Sequence, residues 1–178
     1  MESDNAWIGA LEADLHALAH AEVDVDRDVE VAERIRIERA AVGLFDRALA
    51  TRGSVELHLA SGRRVSGVIR DGAQDWLLIE TASAPVTHAL VLKDAVMWVR
   101  QLQPGARPSG LLRTRTIASV CREWARDRAV VQLHVRDGSL IAGAMNAAYS
   151  DHVDLTTPTS QMYAIAYSAI HVITRVRD

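Results

Sequence analysis

The sequence predicts an α+β chain, mainly β, made of two tandem units. Each unit places one helix ahead of five short strands that close into a small barrel, and an acidic helical extension precedes them. Three observations predict this. A segment recurs 76 residues further on, apolar residues alternate with period 2 inside each copy, and glycines stand where a hairpin must turn or a strand must bend.

The extension comes first. Trp7, Leu11, Leu15 and Leu18 fall on one side of an amphipathic helix over residues 5–20. This stripe packs on the rest of the chain or meets another protein or a second copy. Residues 22–30 alternate valine with acids and read as a solvated link into a helix over 29–51. In that helix Ala41, Leu44, Phe45 and Ala48 share a face, as Ile117, Val120, Cys121 and Trp124 do in a helix over 114–127. The spacing i, i+3, i+4, i+7 is that of one helix side.

The strands follow. Val55–Gly67 (VELHLASGRRVSG) aligns with Val131–Gly143 (VQLHVRDGSLIAG) at an offset of 76 without a gap, and the match reaches Asp75 with Asp151 and Ile79 with Leu155. Val55, Leu57 and Leu59 point one way while Glu56, His58 and Ala60 point the other. Ser61-Gly62 and Asp137-Gly138 are the expected hairpin turns, because glycine accepts positive φ there. Gly67 and Gly143 are the expected sites of a bend or bulge. Residues 75–80, 88–92 and 95–99 complete the first copy, and 151–155, 162–166 and 170–174 the second. The predicted domains are therefore 1–28 (acidic extension), 29–102 (helix and first barrel), 103–110 (linker, with Pro104, Gly105, Pro108 and Gly110) and 111–178 (helix and second barrel).

The pattern hydrophobic-x-x-Gly-x4-Gly, followed by an Asp-led strand and two more, resembles the Sm-like and SH3-like small barrels. Through residues 75–79 and 126–138, the whole chain resembles an uncharacterised actinobacterial protein family with two such barrels. The Sm-like resemblance implies RNA binding through an Asp and an Asn near the third strand and a basic-Gly turn before the last. Asp75 and Asp151 match the aspartate. Leu78 and Asp154 stand in place of the asparagine, and Lys93-Asp94 and Ser168-Ala169 in place of the basic-Gly turn.

Composition narrows the function classes. With 49% apolar and 24% charged residues over 178 positions, the chain can bury a core without disulfides or a structural metal. Its one cysteine, the absence of an apolar run of membrane-spanning length and an acidic start point to a reducing cytoplasm, with no membrane partner. The net charge of −3 hides an asymmetry: residues 1–50 carry 12 acids against 5 arginines, while residues 51–178 carry 11 acids against 15 bases.

The most basic stretch is 100–128, with seven arginines against Glu123 and Asp127. Arg115, Ser119, Arg122 and Arg126 recur on one helix side, so Arg113, Arg115, Arg122 and Arg126, with Arg63 and Arg64 of the first hairpin, are candidate polyanion contacts. The alternative is a solvated face paired with local acids. No catalytic or cofactor pattern emerges. His16 and His20 are only half a metal site, and Cys121 lies in an apolar stripe. The expectation is a non-catalytic, cytoplasmic binding or adaptor protein with no cofactor, metal or small-molecule substrate, engaging a protein partner or itself. The alternative is an RNA- or DNA-binding regulator that uses the arginine face.

Overall fold

The computed structural model describes residues 30–81, 87–103 and 115–176. The Trp7, Leu11, Leu15 and Leu18 stripe, Arg113 and almost all of the linker lie outside the described residues. The chain divides into two compact units, Met1–Ala41 and Val42–Asp178.

In the first unit residues 30–40 are helical (α1), with Arg36 and Glu33 paired across one turn at 2.5 Å. The helix expected over 29–51 is therefore two helices. Residues 41–43 leave helical geometry, and a second helix, α2 (Leu44–Ala50), starts after Gly43, whose extended backbone directs its N–H to Asp46 Oδ2 at 3.0 Å. That local bond supplies a helix N-terminus with a carboxylate partner, which favours a restart over a continuous helix. Of the predicted face, Phe45 and Ala48 are buried, whereas Ala41 lies in a turn and Leu44 is exposed.

The second unit is mainly β. After α2 come β1 (Ser54–Leu59), β2 (Arg64–Gly72), β3 (Trp76–Thr81), β4 (Thr87–Leu92) and β5 (Val96–Arg100). Helix α3 (Ile117–Arg126) then precedes β6 (Val130–Val135), β7 (Leu140–Ala148), β8 (His152–Thr156), β9 (Met162–Ala166) and β10 (Ile170–Val176). Thr116 caps α3 by accepting the Ser119 N–H at 3.2 Å, and all four residues of the predicted apolar stripe are buried. The ten strands form one open antiparallel sheet in the order β5-β1-β2-β3-β4-β10-β6-β7-β8-β9. Each half thus repeats one order, and the halves join where β4 pairs with β10, Leu90 opposite Ile173.

The repeat extends to single hydrogen bonds. Lys93 N–H donates to the Asp75 carbonyl at 2.9 Å, and Tyr167 N–H to the Asp151 carbonyl at 2.8 Å. Those donors are 74 residues apart, not 76. Counted between equivalent pairs, the path from β8 to β9 is two residues shorter than that from β3 to β4, since Ala89 opposite Ile79 corresponds to Tyr163 opposite Leu155.

Gly67 and Gly143 are not themselves the bulges expected there. The register shifts lie two to four residues later, between Ile69 and Asp71 and between Met145 and Ala147. The glycines answer to close approach of the next strand: an added Cβ would lie 2.8 Å from the carbonyl carbon of Glu80 in one half and of Thr156 in the other. The hairpin glycines behave as expected, with φ of +79° at Gly62 and +89° at Gly138.

Two hydrophobic cores result. One gathers Phe45, Leu57, Leu77 and Val91; the other gathers Val120, Trp124, Leu133 and Met145. They exchange residues, since Val172 of β10 joins the first and Trp76 and Leu90 join the second. Trp98, within the apolar run 95–99, is 39% exposed because β5 is an outer strand. There it tilts against His58 with ring centres 4.5 Å apart.

Candidate nucleic-acid interface

The arginine face lies on α3, which packs on β7. Between them runs an open groove of about 480 Å³, lined by Ser119, Arg122, Glu123, Arg126 and, from β7, Asn146 and Ala147. The helix repeat brings Arg122 and Arg126 onto one side. Asn146, at the β7 register shift, is exposed, and its amide donates to Thr156 Oγ1 at 2.5 Å. Arg122 and Arg126 are exposed, and neither forms an ion pair among the described residues.

Arg115, predicted to share this face, has another task. Its guanidinium is held between Asp71 of β2 and Glu123, and its carbonyl accepts the Trp76 indole N–H at 3.1 Å. Both its backbone and its side chain are therefore committed to the first half. By binding Glu123, it also offsets the carboxylate in the groove. Arg63 and Arg64 lie exposed at the hairpin between β1 and β2 and do not line the groove. Arg64 comes within 3.9 Å of Glu56.

The repeat separates what the fold requires from what it does not. At an offset of 76, the first half carries Asp46 where the second has Arg122, Ala50 where it has Arg126, and Arg70 where it has Asn146. Apolar positions repeat across the halves, but the charge of this surface does not. That comparison was available in the sequence, which makes it the signal that marks Arg122 and Arg126 and leaves Arg115 aside. Asn146 was missed because the packing of α3 on β7, which brings it beside the arginines, is non-local.

A smaller cleft of about 220 Å³ lies where the halves meet, lined among others by Asp75, Lys93, Asp94, Arg136 and Tyr167. Within it Arg136 reaches Asp94 at 3.8 Å. Asp75 and Asp151, the positions matching the Sm-like aspartate, close their turns through their carbonyls. Asp151 also accepts from His152 Nδ1 at 2.6 Å, which holds its carboxyl below the usual range.

Cys121 is fully buried, and burial pushes its thiol up to about 12, leaving no thiolate for covalent chemistry. Among the described residues no three His, Cys, Asp or Glu side chains converge on a metal position, and no helix is long and apolar enough to cross a membrane. The groove can therefore hold an anion by charge and hydrogen bonding. No protein-family model matches the chain, and no curated protein matches it in sequence.

Proposed function

We propose that the chain is a non-catalytic binding protein of two tandem Sm-like small barrels whose α3–β7 groove holds a nucleic-acid backbone. The barrel reading draws support from the repeated five-strand order, the separate cores and the paired glycines that let β3 and β8 approach closely. The observation that carries the function is the pair of exposed guanidinia of Arg122 and Arg126, unmatched among the described residues, beside the Asn146 amide, where the first half has Asp46 and Ala50. Guanidinium offers forked donors to phosphate oxygens, and an open groove suits a polymer better than a small molecule.

Fluorescence anisotropy with labelled RNA, single-stranded DNA and duplex DNA at two salt concentrations tests this. The double variant R122A/R126A should weaken binding and reduce the salt slope by about two, one for each phosphate left without its guanidinium. R115A should leave that slope unchanged and lower the unfolding midpoint. No salt-sensitive binding to any of the three polymers, or equal binding by the double variant, overturns the proposal. Salt-sensitive capture of an acidic peptide in their place would favour the adaptor reading.

A further inference from the structure

The α3–β7 groove offers guanidinia to phosphates, but no aromatic side chain lines it on which an unpaired base could stack. An open ring lies elsewhere, on the first half. Strand pairing there sets two cross-strand rows on the face of β5, β1 and β2 turned away from the buried Leu57. Trp98, His58 and Arg64 form one row, and Arg100, Glu56 and Ser66 the next.

Trp98 is 39% exposed, and its indole leans on the His58 ring at 36° with the centres 4.5 Å apart. His58 Nδ1 is buried with no hydrogen-bond partner among the described residues, so the imidazole serves this corner as a prop for the indole. The Arg100 guanidinium stands 5.8 Å from the indole centre, within cation–π range, and forms no ion pair among the described residues. Arg64 reaches Glu56 only at 3.9 Å and keeps a side chain 66% exposed. Two guanidinia thus stand against one carboxylate around one open ring.

The second half shows that the fold asks for none of this. In the same registers it places Val172, His134 and Leu140 in the first row, and Thr174, Gln132 and Ala142 in the second. The propping histidine is kept, while the indole and all three charges are gone. The excess of positive charge calls for an anion, and the indole calls for one that carries a flat ring.

We infer that Trp98 is a stacking platform for single-stranded nucleic acid, with an unpaired base on the indole and the flanking phosphates on Arg100 and Arg64. The inference rests on the nucleic-acid reading of the chain and on no residue of the groove. Stacking accepts every base, since each has a π face. It discriminates against a duplex, whose bases are already stacked on one another. The groove then supplies charge, and the platform supplies the preference for an unpaired strand.

A short oligothymidylate, with a duplex of equal length beside it, tests this on the full chain. Titration with the single strand should quench tryptophan fluorescence, and W98F assigns the signal. That variant keeps a ring, so its affinity by anisotropy should stay close to that of the parent while the Trp98 share of the quench disappears. W98A should bind the single strand about 5- to 150-fold more weakly, with the salt slope of the parent and an unchanged affinity for the duplex. R100A should weaken single-strand binding and lower its salt slope by about 0.7. Circular dichroism checks that each variant is folded, and if W98A is not, W98F and R100A carry the test. Absence of a quench, a quench that survives W98F intact, or a W98A loss equal on strand and duplex overturns the inference. So does a concentration-dependent mass that W98A abolishes while oligonucleotide affinity stands, because a second copy would then cover the ring. The two sites fail separately. If R122A/R126A leaves the salt slope unmoved while W98A loses single-strand affinity, the groove reading falls and the platform stands; the opposite pattern removes the platform alone.

Discussion

Replacing Gly67 by alanine offers a direct reading of why the strands approach as they do. The added methyl would overlap the carbonyl oxygen of Glu80 and lie 2.8 Å from its carbonyl carbon, with the Ile79 side chain at 2.9 Å. A side-chain obstacle could rotate away, but a carbonyl fixed in the β2–β3 ladder moves only with its strand. Overpacking of this kind costs about 3 kcal/mol, the upper end of the usual range. Gly62 is the internal control, because its Cβ would meet nothing within 4 Å and only its φ of +79° resists substitution. A left-handed alanine costs about 1 kcal/mol. G67A should therefore lie about 2 kcal/mol below G62A in stability, or roughly 4 to 8 °C lower in Tm for a chain of this size. Urea unfolding followed by circular dichroism gives both midpoints, with unchanged m-values showing that stability alone has moved. The second half repeats the comparison with G143A and G138A. If G67A costs no more than G62A, the close approach of β2 and β3 is not what the glycine serves.

Two further outcomes follow from buried groups. Burial and the Arg63 charge lower the His134 pKa, burial and the Arg136 charge lower that of His171, and one ring nitrogen of each is buried without a hydrogen-bond partner among the described residues. Between those depressed values and the ordinary value of about 6.5 the unfolded chain binds more protons, so stability rises with pH across that window and is lost as pH falls through it. Thermal midpoints should fall on acidification from about pH 7.5 to about pH 5.5, and by less in H134Q; a pH-independent midpoint refutes the assignment. Cys121, with its thiol pushed up to about 12, should react with an aromatic disulfide reagent only as fast as the native chain opens, and denaturant should release it; fast labelling of the native state would contradict its burial.

Much of the β architecture was legible because it is local. Period-2 alternation needs only neighbouring residues, and the hairpin glycines declare their turns by type. The match of Val55–Gly67 with Val131–Gly143 showed that one solution is used twice. What escaped is non-local or set by few residues. The pairing of β4 with β10 leaves no local trace, since a strand covered by another half and one covered by its own loop have the same pattern. The break at residues 41–43 rests on one backbone bond to Asp46, and the bulge after Gly67 on a register shift that composition does not display. For the groove, helical spacing placed Arg122 and Arg126 together but also included Arg115, whose partner Asp71 lies 44 residues earlier. Exposure of Trp98 could not be read either, because an outer strand and an inner one share the same apolar preference.

The exchange of core residues bears on how the chain comes apart. Trp76 and Leu90 are made by the first half yet fill the second core, and Val172 does the reverse. If either half melted alone, it would withdraw side chains from its neighbour and leave voids there, at the steep cost that voids carry in close-packed interiors. Duplication here has not produced two modules on a string. The two copies should therefore unfold in one cooperative transition, with a lesion in either felt by both.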